Sequence, residues 1–82
     1  MAEVTLRYYA GMVDRVGAEE ETVMAPATLA EVQEVIVARH GETIRPALAA
    51  CSFLAEGRVL TDPETPLGGV ELLEVLPPFA GG

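Results

Sequence analysis

The chain has 82 residues, half of them hydrophobic, and carries thirteen acidic side chains against five arginines, a formal net charge of −8. That length gives one domain, and the apolar fraction calls for a packed core rather than disorder. A balance this acidic excludes nucleic acid and anionic membrane as natural partners, since both need a basic footprint. A basic protein surface is the natural complement, although the same charge also serves plain solubility.

With no Trp and four other aromatics, Val, Leu, Ile and Ala must fill the core. The single cysteine, Cys51, rules out an internal disulfide. No signal-like segment opens the chain and no apolar run approaches the ~20 residues of a membrane span. The expected compartment is the cytoplasm, with no membrane partner.

Residues 3–10 alternate, with Val4, Leu6, Tyr8 and Ala10 on one face and Glu3, Thr5, Arg7 and Tyr9 on the other. That period predicts a half-buried strand. Residues 11–17 are bracketed by Gly11 and Gly17 and read as one helical turn in a loop. The acidic run Glu19-Glu20-Glu21 is followed by Thr22-Val23-Met24, and a short edge strand is predicted over residues 20–24, its charges discouraging unwanted pairing.

Thr28-Leu29-Ala30-Glu31 forms a capping box. Behind it Leu29, Val32, Val35 and Ile36 make an apolar stripe. Arg39 and His40 suit the negative end of a helix, and Gly41 is the expected stop. The prediction is a helix over residues 29–40 laid on the sheet. His40, the only histidine, reads as a helix-end residue with no catalytic partner nearby in sequence.

Residues 42–50 read as an irregular connection with a helical turn after Pro46. Residues 51–55 and 58–60 flank Glu56-Gly57, a two-residue hairpin signal. Cys51 opens the first of these strands and reads as a buried structural thiol, with no activating neighbour in sequence. A turn-rich loop, Asp62-Pro63-Glu64-Thr65-Pro66, precedes Leu67-Gly68-Gly69 and the last strand, residues 70–76. That strand is apolar on both faces except at Glu71 and Glu74, so it is either central or displays an apolar patch.

The chain then ends Leu76-Pro77-Pro78-Phe79-Ala80-Gly81-Gly82. Pro77 and Pro78 fix φ and offer no N–H, so they stop sheet pairing and launch the last residues away from the body. Ala80, Gly81 and Gly82 form a thin, uncharged backbone suited to a channel too narrow for larger side chains. This divides the chain into a domain over residues 1–78 and a functional tail over residues 79–82.

Conventional site chemistry does not emerge from the pattern. No phosphate-cradling G-x-x-x-x-G-K run appears, no Cys/His cluster suggests a metal, and no nucleophile with its base can be placed by spacing. The C-terminal carboxylate of Gly82 remains. It is a poor electrophile until joined to AMP, after which sulfur or an amine can displace the nucleotide. A partner must supply the ATP site. The first outcome is a thiocarboxylate and the second a ubiquitin-like conjugate.

On Val4-Thr5-Leu6-Arg7-Tyr8-Tyr9-Ala10 at the start and Leu76-Pro77-Pro78-Phe79-Ala80-Gly81-Gly82 at the end, the sequence resembles the MoaD/ThiS group of β-grasp sulfur carriers, and within it the molybdopterin synthase small subunits. Cys51-Ser52-Phe53-Leu54 with its acidic-Gly turn resembles the actinobacterial form. The departures are Leu54-Ala55-Glu56-Gly57, where many members carry Val-Asn-Gly, and Leu67-Gly68-Gly69-Val70-Glu71, where many carry Asp-Gly-Asp.

The resemblance implies an α+β, β-grasp (ubiquitin-like) mixed sheet with one main helix across it, parallel first and last strands in the middle, and a flexible Gly-Gly tail. It also implies that an E1-like (MoeB-like) adenylyltransferase, using ATP, activates Gly82, and that a sulfur donor converts it to a thiocarboxylate. The tail then enters a MoaE-like large subunit, in a heterotetramer, with Phe79 as an anchor at the channel mouth and Ala80, Gly81 and Gly82 inside. The acceptor is cyclic pyranopterin monophosphate, and this chain itself binds no cofactor or metal. A sulfur carrier for thiamin, cysteine or tRNA thiolation, and a conjugation module, stay open as alternatives.

Overall fold

A computed structural model of the protein describes residues 3–78. Its elements run β1 (Glu3–Tyr8), α1 (Gly11–Val16), β2 (Glu20–Met24), α2 (Leu29–His40), a 3-10 turn (Glu42–Ile44), α3 (Arg45–Ala50), β3 (Ser52–Ala55), β4 (Arg58–Leu60) and β5 (Leu72–Leu76). The strands form one mixed sheet in the order β2-β1-β5-β3-β4. The last strand is therefore the middle one, parallel to β1 (Leu6 opposite Leu73) and antiparallel to β3 (Phe53 opposite Val75).

Period-2 alternation on each strand puts one set of side chains inward. Val4, Leu6, Tyr8, Val23, Phe53, Ala55, Leu73 and Val75 are all buried. Leu29, Val32, Ile36 and Val37 of α2 close this layer from the same side, together with Ile44, Leu48 and Leu67. Burying one such aliphatic side chain contributes about 1.5–3 kcal/mol. This is the β-grasp, ubiquitin-like architecture: a mixed sheet with one main helix across a single face.

Helix α2 spans the residues its cap signals predict. The Thr28 hydroxyl accepts from the Glu31 N–H at 3.3 Å. The Glu31 carboxylate reaches back to the Ala27 N–H at 3.2 Å rather than to Thr28. The loop over residues 62–69 satisfies two more helix-start donors, with Leu29 N–H donating to the Thr65 carbonyl and Ala30 N–H to that of Pro63. Otherwise orphaned groups at a helix start are thus met from two parts of the chain.

Five expectations need correction. Strand β1 stops at Tyr8, and Ala10, exposed at φ 51°, starts α1 instead of facing the core. The register explains this: continuing β1 would set Ala10 beside Pro77, which has no N–H to share. Likewise β5 begins at Leu72, because a turn closed by Val70 N–H on the Leu67 carbonyl occupies the preceding residues.

Strand β3 starts at Ser52, since Cys51 caps α3. On α2 it is Val37 that is buried, while Val35 is only partly covered. Residues 42–50 are almost wholly helical rather than irregular. Pro46 lies in the first turn of α3, where its missing N–H costs nothing.

Candidate functional site at the end of the central strand

Strand β5 carries the chain out of the sheet between its two neighbours. Ser52 of β3 lies opposite Leu76, so the ladder on that side ends one residue before Pro77. Pro77 is half-buried and Pro78 exposed, and neither lies in a strand. The expected channel residues Phe79, Ala80, Gly81 and Gly82, including the reactive carboxylate, lie outside the described residues.

Around this exit the structure adds a feature that sequence reading missed. A depression of about 470 Å³ lies against the chain as it leaves β5, with walls from Met12, Ala47, Ala50, Pro77 and Pro78. Ala10 and Gly11 complete the rim, and among the described residues Arg15 is the one charged group on it. Ile44, Ala47, Leu48 and Cys51 follow helical spacing, the signal that would have placed α3 here. Cys51 is half-buried; its thiol donates to the Ala47 carbonyl at 3.2 Å. Burial pushes that thiol up from its ordinary value, while the charge of Arg15 acts the other way.

The sheet face turned away from α2 leads to the same exit. Leu72 and Leu76 of β5 and Leu54 of β3 are half-buried there, and Val59 of β4 is 57% exposed. Polar groups interrupt them. Glu74, central on this face, accepts a hydrogen bond from the Tyr9 hydroxyl, and Arg7 pairs with Glu20 at 2.8 Å. Glu74 also lines a surface hollow with Glu56 and Glu71, concentrating negative charge at the hairpin end of the face. A basic partner surface suits that end.

His40 does find a partner, nineteen residues away in sequence: its Nε2 lies 2.8 Å from Glu21 Oε2. The Tyr8 hydroxyl donates to the same carboxylate at 2.7 Å. Burial alone would raise the Glu21 carboxyl, but these bonds and the nearby His40 and Arg39 charges hold it below the usual range. The cluster pins α2 to the edge strand, which agrees with a helix-end role for His40. Among the described residues no three His, Cys, Asp or Glu side chains gather as metal ligands would, and no helix is long and apolar enough to cross a membrane.

Neither a family model nor a curated protein sequence matches the chain. Solved structures do. A protein described as molybdopterin converting factor, subunit 1, from Pyrococcus furiosus superposes with a TM-score of 0.77 at 20% identity, covering 96% of this chain and 100% of that one. SAMP1 from Haloferax volcanii gives 0.76 at 18% identity, covering 99% and 100%. A complex of subunits 1 and 2 of the molybdopterin-converting factor from Helicobacter pylori contains a chain matching at 0.67 and 22% identity, over 98% and 99%.

The chain has the fold these proteins share. At such identities the likeness establishes the β-grasp architecture over the full length of each match and leaves the role of the tail to chemistry.

Proposed function

We propose that the chain is a sulfur carrier of the MoaD/ThiS type, acting as the small subunit of a molybdopterin synthase. The observation that carries the reading is the position of β5: the strand held on both sides by the sheet is the one that ends in Pro77-Pro78 and presents Phe79-Ala80-Gly81-Gly82. A rigid base and a thin end suit a group that must be passed from one active site to another. Likeness to a subunit 1, one of them in a complex with its subunit 2, supports the same reading.

In this scheme the Gly82 carboxylate attacks ATP within an E1-like partner, releasing pyrophosphate and forming an acyl adenylate. A sulfur nucleophile from a donor then displaces AMP, and the carrier leaves with a thiocarboxylate. The tail threads a large subunit, with Phe79 seated at the channel mouth, and sulfur passes to cyclic pyranopterin monophosphate. Backbone groups of Ala80 to Gly82 hydrogen-bond along the channel as an added strand would. The carrier works in the cytoplasm, in a heterotetramer with the large subunit.

The second reading is a ubiquitin-like modifier, in which a lysine amine displaces AMP. It is favoured by the likeness to small archaeal modifier protein 1, which is as good as that to the converting-factor subunit. One experiment separates the two. The chain is incubated with its host's E1-like enzyme, ATP and a sulfur source, and its intact mass is measured. Replacement of one oxygen by sulfur at Gly82 supports the carrier. An unchanged mass together with lysine-linked adducts in lysate overturns it in favour of the modifier.

A further inference from the structure

We propose that the edge of β4 and the groove beside it form a docking surface for an extended segment of a protein partner. The segment adds as a strand, apolar where it meets Val59 and Leu60, with a basic side chain at the end that lies next to Asp62. This surface is independent of the reading of the tail.

The edge supplies the backbone. Strand β4 has β3 as its one neighbour in the sheet. Ala55 and Arg58 close a two-residue turn, and hydrogen bonding alternates along an antiparallel pair from there. Arg58 and Leu60 therefore direct their N–H and carbonyl groups at β3, while those of Val59 point outward. An added strand meets that donor and acceptor together.

The side chains define what fits. Val59 is 57% exposed and, with Met24 at 56%, one of two large apolar side chains so placed among the described residues. Met24 lies on the other edge strand, β2, where Glu20 and Glu21 are engaged by Arg7 and His40 and charge guards the edge. Strand β4 carries one charge, Arg58, at its turn end. Beside β4 lies a groove of about 430 Å³, floored by Leu29, Leu48 and Phe53 and walled by Leu60 and Pro63. Among the described residues no charged side chain lines it. Side chains alternate along a strand, so one set of the partner's enters this groove and the other covers Val59.

Charge sets the kind of partner and its direction. Beyond Leu60 the chain turns through Asp62 and Glu64, both exposed. Neither belongs to an ion pair among the described residues. A cationic side chain suits that end, in keeping with a net charge of −8. Antiparallel pairing, the commoner arrangement, puts the cation at the amino end of the added strand. A second copy is a poor occupant, since pairing two β4 edges brings two strongly acidic chains together.

The test titrates the whole isotope-labelled chain by NMR with the capped peptide acetyl-Arg-Thr-Val-Val-Thr-amide, whose fourth residue is to pair with Val59. Saturable shifts are expected at the Val59 and Leu60 amides and at the Ala49 methyl in the groove. Methylating the peptide nitrogen of that fourth residue should weaken binding about tenfold. Asp62→Asn keeps the bond from the Glu64 N–H, 2.9 Å long in the native chain. It should weaken binding about threefold. No saturable shift up to about 5 mM peptide overturns the proposal. Equal binding of the methylated peptide does so too, showing apolar adhesion without strand pairing. Binding that Asp62→Asn leaves unmoved overturns the basic partner. Shifts at the same amides on concentrating the chain without peptide make a second copy the occupant and overturn the proposal.

Discussion

Glu21 on the edge strand β2 and His40 at the last turn of α2 meet at 2.8 Å, and the Tyr8 hydroxyl bonds to the same carboxylate. The Glu21 side chain is only 17% exposed, so the cluster is little weakened by solvent. Because its carboxyl titrates lower in the folded than in the unfolded chain, its contribution is fully present above the unfolded value, about 4.3. It is lost as pH falls through the lower folded value. Glu21→Ala should cost about 1.5–3 kcal/mol near neutral pH. Urea unfolding across the acid range should show a gap between native and variant protein that narrows as pH drops. A constant gap would remove the charged Glu21 from the account.

Adding one residue after Gly82 should abolish sulfur loading and leave the domain intact. The added peptide bond turns the Gly82 carboxylate into an amide and moves the free carboxylate one residue beyond the position that activation requires, while the packed core lies elsewhere. The checks are intact mass after incubation with the E1-like enzyme and thermal unfolding of the same sample. Loading in the extended protein would place the reactive group elsewhere.

Phe79→Ala should weaken the complex with a large subunit without unfolding the carrier. Full burial of such a ring contributes about 1.5–3 kcal/mol, or roughly ten- to a hundredfold in affinity. Calorimetric titration of the large subunit measures it, and an unchanged affinity would take Phe79 out of the interface.

Glu56→Asn should stabilise the domain by about 0.5–1 kcal/mol. Both residues of the β3–β4 turn have positive φ, 53° at Glu56 and 78° at Gly57. Gly57 adopts this without strain, and asparagine tolerates it better than glutamate does. A higher urea midpoint with an unchanged slope is the expected result; no gain would show that the Glu56 side chain compensates its backbone.

Elements marked by local chemistry were legible in the sequence. The capping box and Gly41 bound α2, and Glu56-Gly57 fixed the hairpin. Apolar residues on both faces left β5 either central or displaying an apolar patch, and the sheet order makes it the middle strand. What was not legible depends on which distant residues meet. Tyr9 and Ala10 continue the alternation of β1, yet the distant Pro77 denies Ala10 a partner. His40 has no acid nearby in sequence because its acid sits across the fold. The depression at the tail base draws on α1, α3 and the residues after β5, three segments with no common motif. Pro46 masked the helical spacing of Ile44, Ala47 and Leu48.

Parallel pairing of β1 with β5 also governs how the molecule can be attached to anything else. Thr5 lies beside Leu72 and Tyr8 beside Val75, so the amino end enters the sheet at the end opposite the one from which Pro77 departs. The two termini of the domain are separated by about the length of a strand, some 15 Å or more. A bead, dye or fusion partner joined at the amino end would therefore leave Pro77 and the depression beside it uncovered.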